Sequence, residues 1–157
     1  MNIVRRPMIV GVSLLAWWFP SLCVAIDVCD GLRRSWSLRD SVVTVTGELW
    51  ISHHGLVLAS RKECPGLDGY LTSWPSSMYL VRTESTKVSR RVQEVIISPQ
   101  LAGQPAPRRE VVIRGVLERK LFPLIFRMRG GGHAGDGYGE TGLFAVRILM
   151  SSIDLRE

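Results

Sequence analysis

Residues 42–51 alternate between two kinds of side chain, and this alternation constrains the fold more than any other feature of the sequence. A repeat of two with many β-branched residues predicts a strand that buries one face. Gly47, in the middle of the segment, predicts a bulge or sharp coil of the kind that a strand in a small closed barrel needs. The two sets of alternate positions are Val43, Val45, Leu49 and Ile51 on the apolar side and Thr44, Thr46, Glu48 and Trp50 on the other.

The rest of the chain yields two predicted helices and several further strands. Asp27 is placed to cap a short helix that reaches about Trp36, and apolar positions at helical spacing predict a second helix over 85–97. The segment after the second helix, 98–109, is rich in Pro and Gly and is predicted as a linker loop. Residues 130–142 are predicted as a flexible glycine-rich loop. The predicted strands are 56–58, 78–82, 111–118 and 143–150 with a tail to 155, and 121–129 is predicted to be extended.

This order, a helix, three strands, a helix and two strands, is the order that an OB-fold needs. The run Ser41-Val42-Val43-Thr44-Val45-Thr46-Gly47-Glu48-Leu49, after a short helix bearing a cysteine, resembles the opening of secreted OB-fold-like proteins of the tRNA-anticodon-binding-like type. Residues 74–80 and the glycine-aromatic-glycine loop before the last strand are similar to features of uncharacterised exported members. The resemblance spans most of 27–150 and implies a mainly β fold: an OB-fold-like five-stranded barrel with an N-terminal helix and a helix between strands 3 and 4. Its motifs are structural glycines and core apolar residues, so it implies no activity.

The first 25 residues have the three-part pattern of a secretory signal peptide. Arg5 and Arg6 precede an apolar stretch of 12 residues at 8–19, and the small-residue tripeptide Cys23-Val24-Ala25 follows. The apolar run is shorter than the roughly 20 residues that cross a bilayer as a helix, although an uncleaved anchor is the alternative. We therefore expect a signal peptide at 1–25, a single domain at 26–157, export to the periplasm, cell envelope or medium, and no stable membrane insertion after cleavage.

Cleavage after Ala25 removes Cys23 and leaves Cys29 and Cys64. A pair of cysteines in an exported chain predicts a disulfide, because the compartment is oxidising and a small core gains from the bond. Two free buried thiols and a metal-binding pair are the alternatives. Neither cysteine has the Cys-x-x-Cys spacing or an adjacent histidine, which argues against zinc.

The mature charge is mildly positive. Two of the 20 basic residues belong to the signal segment, so 18 basic residues face 14 acidic ones, a balance of about +4. Such a surplus is compatible with weak attraction to nucleic acid, anionic lipid or acidic polysaccharide. The basic residues occur in scattered pairs rather than one block, which favours an ordinary solvated surface.

Residues 137–142 match the dinucleotide-binding pattern G-x-G-x-x-G letter for letter. That motif binds a pyrophosphate only where it opens a helix, and 143–150 is predicted as a strand, so the match predicts no cofactor. The one candidate metal set is His53, His54, His133 and Asp136. Adjacent histidines in an extended segment diverge, and the other two residues belong to a distant loop, so we predict no metal site.

No local signature of catalysis is present. The sequence contains no G-x-S-x-G, no H-E-x-x-H and no calcium loop of the kind that exported OB-fold nucleases use. The prediction is therefore a protein that is not an enzyme, with a small secreted hydrolase or a nuclease-like OB protein as the alternative.

Three residues are predicted to bind a ligand: Trp50, Arg114 and Tyr138. Trp50 lies on the polar side of the first strand, near the surface by which OB-folds grip oligonucleotides or oligosaccharides, and Arg114 is predicted on a similar face. Tyr138 lies on the glycine-rich loop, where a ring can act as a stacking platform. The alternative for Trp50 is packing under the first helix or a loop.

The predicted function is that of a small exported binding domain without catalysis. Its ligand class is left open among oligosaccharide, nucleic acid and protein, and so is the oligomeric state. A structural or inhibitory envelope protein, whose partner is another protein, is a further alternative.

Overall fold

The computed structural model describes residues 25–52, 55–67, 76–104, 108–121, 125–127 and 133–157. The predicted signal peptide, apart from Ala25, lies outside the described residues, as do His53 and His54. Within the described ranges no helix combines the length and the apolar character needed to cross a bilayer. The predicted mainly β fold class is confirmed.

Among the described residues, eight strands and several short helical segments follow one another. The helical elements are α1 (Val28–Arg33), α2 (Arg90–Val92), a π-helical turn (Gln93–Ile97) and α3 (Ser98–Leu101). The strands are β1 (Ile26–Asp27), β2 (Val42–Ser52), β3 (Gly55–Ala59), β4 (Ser77–Val88), β5 (Arg109–Arg119), β6 (Ile125–Arg127), β7 (His133–Gly135) and β8 (Val146–Leu155).

Six of the strands form one sheet that closes on itself. Their order is β1-β2-β3-β4-β8-β5, and β5 pairs back with β2. The β4–β8 and β1–β2 pairs are parallel, and the other pairs in this sheet are antiparallel. Strands β6 and β7 form a separate two-stranded ribbon.

The long β2 strand has three partners. It pairs with β5 from Val42 opposite Val116 to Leu49 opposite Arg109, with β1 at Val45 and Thr46, and with β3 from Glu48 to Ser52. The register through Gly47 is regular, so the bulge predicted there is wrong. Gly47 is instead required by close packing, because a Cβ at this position would lie 2.7 Å from Val28 Cγ2 and 2.9 Å from the Ala59 carbonyl oxygen. Register shifts are found instead along β8, where Ser151 is an extra residue opposite Arg114 and Gly115 of β5, and where the pairing with β4 shifts between Arg82 and Lys87.

The inner face of the closed sheet and one side of α1 form the core. Asp27 caps α1 as predicted, its carboxylate accepting a hydrogen bond from the Asp30 amide at 2.7 Å, and the helix ends at Arg33, before the predicted Trp36. Its buried side chains close one side of the core. The side chains with relative exposure below 2% are Leu32, Leu58, Met78, Ile96, Ile113, Leu117, Ile148, Val28, Val45, Val92, Val111 and Val146.

The predicted helix over 85–97 begins too early. Strand β4 continues to Val88, and the helical stretch starts at Arg90 with Ser89 as its cap. Pairing with β8 explains the difference: Val88 lies opposite Ile153, and the Thr86 hydroxyl donates to the Met150 carbonyl at 2.8 Å. The helical stretch also runs through α3, so the predicted linker loop is helical at its beginning.

Candidate ligand-binding site

The Cys29–Cys64 disulfide is present, and it joins α1 to the segment that follows β3. For a sequence separation of 35 residues, the chain-entropy model assigns such a bond roughly 3 to 4 kcal/mol of stability. A second link lies beside it, where Arg33 Nη2 donates to the Pro65 carbonyl at 3.0 Å. Residues 60–65 are thereby held against the body of the protein, where they form one wall of a cleft.

This cleft, which we call the Trp50 cleft, has a volume of about 630 Å³. Strand β2 supplies its floor through Glu48 and Trp50, and Arg108 lies on the side opposite the disulfide segment. Its lining residues are Glu48, Trp50, Ser60, Arg61, Lys62, Glu63, Cys64, Pro65, Ser76 and Arg108.

Trp50 is half-buried and held by two polar contacts. Its indole Nε1 donates to Glu48 Oε2 at 3.2 Å, and the guanidinium carbon of Arg108 lies 4.6 Å from the ring centroid. A guanidinium at this distance is attracted to the face of the indole. The ring therefore supports Arg108 at the edge of the cleft, an arrangement between the two sequence alternatives of an open platform and a fully packed tryptophan.

A second cleft of about 780 Å³ adjoins the first and shares Arg61 and Arg108 with it; we call it the arginine cleft. Its lining includes five arginines and two glutamates, a balance of +3 (5 minus 2). These charged residues are Arg61, Arg91, Arg108, Arg109 and Arg156 with Glu110 and Glu157, and the apolar members are Val95 and Leu155.

Most of these arginines are held in ion pairs. Arg61 bridges Glu48 and Glu110 at 3.5 and 3.8 Å, and Arg156 also pairs with Glu110. Arg91 pairs with Glu157 at 3.1 Å. The carboxylates of Glu48 and Glu110, both paired with Arg61, are thus already engaged by guanidinium groups.

Arg108 and Arg109 differ from the other arginines of the clefts. Both are exposed, and within the part of the chain that the structure describes neither lies within 4.0 Å of a carboxylate oxygen. Arg109 lies opposite Leu49 on β2, so the pair stands at the end of β5 nearest Trp50. The site therefore presents two guanidinium groups to solvent, that of Arg108 in both clefts and that of Arg109 in the arginine cleft.

Arg114 does not line either cleft. It is exposed on β5 opposite Thr44, five residues along the strand from Arg109, which at about 3.4 Å per residue places it about 17 Å from the cleft wall. The Arg114 carbonyl accepts a hydrogen bond from the Ser151 hydroxyl at 3.0 Å. Because Thr44 and Trp50 share one face of β2, Arg114 lies on the same face of the sheet as Trp50 but away from the cleft, and its predicted role in binding stays a prediction.

Tyr138 lies at a third location. Pairing across the sheet links Trp50 to Val57, Val57 to Tyr79 and Tyr79 to Arg147, and the Arg147 guanidinium lies 4.4 Å from the Tyr138 ring centroid. Three strand spacings of about 4.8 Å therefore separate Trp50 from the strand under Tyr138. Burial raises the pKa of the Tyr138 phenol above its ordinary 10.0, and Arg147 partly opposes the rise.

The described part of the glycine-rich loop is a hydrogen-bonded turn. Gly137 N donates to the Gly142 carbonyl at 2.8 Å, and Tyr138 forms a bridge with Phe144. The element that follows is strand β8, so the G-x-G-x-x-G match does not open a helix. Gly142 has φ +65°, and a Cβ there would clash with the Gly135 carbonyl.

The candidate metal set is only partly within the described residues, since His53 and His54 and the side chain of His133 are not described. Among the residues that are described, no three His, Cys, Asp or Glu side chains come together as metal ligands. The predicted absence of a metal site stays a prediction.

Sequence reasoning missed Arg61 and Arg108 because it treated the basic pairs 61–62 and 108–109 as scattered surface charge. The pairs converge because β3 and β5 both flank the same stretch of β2, with Glu48 opposite Ala59 and Leu49 opposite Arg109. The available signal was that each pair adjoins a predicted strand end.

Comparison with known proteins adds little. No family model and no curated protein matches the chain. Among solved structures it is similar to a protein described as an aspartyl-tRNA synthetase from Leishmania major Friedlin, with a TM-score of 0.40 and 13% identity, over 96% of this chain and 23% of that one. The chain thus spans about a quarter of that protein's length, and a TM-score this low does not establish a common fold.

Proposed function

We propose that this protein is an exported, non-catalytic binding domain that holds its ligand in the Trp50 cleft. Its scaffold is an OB-fold-like five-stranded barrel made of β2, β3, β4, β5 and β8, with the helical stretch between β4 and β5. The clefts open where β2 passes between β3 and β5.

The observation that carries this proposal is the pair formed by Trp50 and Arg108 at the rim of the cleft. The indole is oriented by its hydrogen bond to Glu48, and it supports an exposed guanidinium 4.6 Å away. A binding site needs polar groups whose positions are fixed before the ligand arrives, because less conformational entropy is then lost on binding. The disulfide-anchored wall at 60–65 serves the same purpose.

The disulfide also supports export, since such bonds persist in oxidising compartments and are rare in the reducing cytosol. Absence of catalysis is supported by the state of the cleft carboxylates. Glu48 accepts from Trp50 and pairs with Arg61, and Glu110 pairs with Arg61 and Arg156. Both carboxylates are therefore engaged in contacts with side chains of the protein itself.

A ligand screen with a matched pair of tryptophan variants tests the proposal. The protein is immobilised and presented with arrays of oligosaccharides, oligonucleotides and peptides. Trp50→Ala should weaken the best ligand at least about tenfold, which corresponds to roughly 1.4 kcal/mol. Trp36→Ala is the control, because Trp36 also stacks under an arginine but lines neither cleft. Equal binding by Trp50→Ala and the unaltered protein would refute the site, provided that circular dichroism shows both variants to be folded.

A further inference from the structure

We propose that the ligand is an acidic polysaccharide whose carboxylate or sulfate groups are bound by Arg108 and Arg109, with its chain continuing along the arginine cleft. The proposal rests on the proposed function in one respect, since it takes the Trp50 cleft as part of the binding site. It adds the chemical class of the ligand and the residues that select it.

The net charge of the two clefts favours an anionic ligand. The arginine cleft has a balance of +3, and the Trp50 cleft adds Lys62 and Glu63, which cancel, and Glu48. Combined over the charged lining residues of both clefts, six basic and four acidic groups leave a balance of +2. The mature chain as a whole carries about +4 (18 minus 14), so half of its surplus is concentrated here. An anionic ligand is attracted to such a surface.

The donor geometry of arginine favours a ligand with carboxylate or sulfate groups. A guanidinium binds a carboxylate or sulfate through two parallel N–H donors, and this fork is more specific than the point charge of a lysine. Arg108 is held by the Trp50 ring and lines both clefts, and Arg109, the first residue of β5, lines the arginine cleft, so each offers one such fork to a ligand. Both lack a carboxylate partner among the described residues, and a ligand therefore has no ion pair to break at this point.

The two clefts lie next to each other. Arg61 and Arg108 line both clefts, so the two cavities of about 630 and 780 Å³ adjoin each other, and we call the two together the groove. At the far end, Arg91 and Arg156 are held by the exposed Glu157 and the half-buried Glu110. A repeating anionic chain meets guanidinium groups along the whole groove, whereas a small anion would use only one position.

The aromatic content favours a polysaccharide over a nucleic acid. Proteins that hold single-stranded nucleic acid stack successive bases on several aromatic rings. Among the described lining residues of the two clefts, Trp50 is the one aromatic side chain, and Arg108 lies over one face of its ring. The groove therefore has guanidinium forks in place of a row of stacking platforms.

The test measures binding of defined probes to the protein purified from its full-length chain. Heparin oligosaccharides and polygalacturonate oligosaccharides are the acidic glycans, and neutral dextran, oligo(dT) and poly-glutamate are the comparison ligands. At low salt at least one acidic glycan should bind, dextran should not, and affinity should fall as sodium chloride rises. Failure of both acidic glycans to bind, or tighter binding of oligo(dT) or poly-glutamate, overturns the proposal.

Variants locate the anionic contact. The double variant Arg108→Ala with Arg109→Ala should lower the affinity for the acidic glycan at least about tenfold. Arg82→Ala with Lys87→Ala removes the same charge from exposed positions on β4 outside both clefts and should weaken it less than about threefold. Arg108→Lys with Arg109→Lys keeps the charge but loses the forks, so an intermediate loss is expected. Equal losses in the two alanine doubles would show a non-specific charge effect and contradict the proposal.

The result for Trp50→Ala separates the two claims. If a neutral glycan binds and its binding depends on Trp50, the Trp50 cleft stands as the site and the acidic class is wrong. If an acidic glycan binds with undiminished affinity to both Trp50→Ala and the Arg108/Arg109 alanine double, the Trp50 cleft and the two arginines are both wrong as the site, and the glycan binds elsewhere on the protein.

Discussion

Two regions of this protein contain the same contact, an arginine over an aromatic ring, in different surroundings. Arg108 lies 4.6 Å from the Trp50 centroid and Arg147 lies 4.4 Å from the Tyr138 centroid. Arg147 also pairs through Nε with Glu118 Oε2 at 2.5 Å, whereas Arg108 has no such partner among the described residues. The stacking distance alone does not distinguish a structural arginine from one available to a ligand; the second partner does.

A third stack extends the comparison. Arg119 lies 4.2 Å from the Trp36 centroid, has only 4% relative exposure and donates through Nη1 to the Ser35 hydroxyl. Ser35 in turn donates to the Leu32 carbonyl at 2.6 Å, at the end of α1. The three stacks thus form a series from buried to exposed, and we expect their contributions to stability to follow that order.

Arg119→Ala should have the largest effect. It removes a buried side chain that connects the end of α1 to β5 and leaves space that its neighbours cannot fill. The expected loss is about 2 to 4 kcal/mol in the free energy of unfolding. Urea denaturation measures it, and a loss below about 1 kcal/mol would show that burial does not rank the stacks.

Arg147→Ala should cost less, about 1 kcal/mol, because it loses a half-buried ion pair and one cation–π contact. Arg108→Ala is the matched control, since it loses a similar stack at an exposed position and should change stability by less than about 0.5 kcal/mol. The two variants are compared in the same denaturation series. A larger loss of stability in Arg108→Ala than in Arg147→Ala would contradict the proposed order of the three stacks.

Tyr138 should make a small contribution that depends on pH. Burial raises the pKa of its phenol above 10.0 in the folded protein, so the unfolded chain loses this proton at lower pH than the folded protein does. The stabilisation is therefore complete below about pH 10 and is lost as pH rises from there through the folded pKa. Ultraviolet titration of the tyrosinate should show one late-titrating group that disappears in Tyr138→Phe.

The same titration checks the electrostatic role of Arg147. Arg147 lowers the pKa of Tyr138 against the effect of burial, so Arg147→Ala should move the late titration to still higher pH. A shift to lower pH would mean that Arg147 does not lie over the ring.

Local alternation and capping were sufficient to predict part of this molecule. The strand at 42–51 and the cap at Asp27 are local signals, and the structure has β2 and α1 there. Local spacing predicts a helix at 85–88, where the structure has the end of β4, because the strand partner of Lys87 and Val88, Ser152–Ile153, is more than sixty residues away in the chain. Periodicity in a short window contains no information about such a partner.

The candidate site was predictable only through Trp50. Its position on the polar side of β2 follows from alternation, but the approach of Arg108 and Arg61 depends on the register of β2 with β5 and β3. The same kind of reasoning predicts Arg114 and Tyr138, yet Arg114 lies farther along the same face of the sheet and Tyr138 lies beside Arg147 of β8. A residue's face can be predicted from a strand pattern, whereas its neighbours on other strands cannot.

The most direct test of the central claim is an NMR titration of the indole Nε1–H resonances with heparin oligosaccharides. The Trp50 resonance should shift with increasing ligand, because its ring supports Arg108 at the meeting point of the clefts. The Trp36 resonance, whose ring lies against the buried Arg119, should stay in place. A shift of Trp36 with no change at Trp50 would contradict the account.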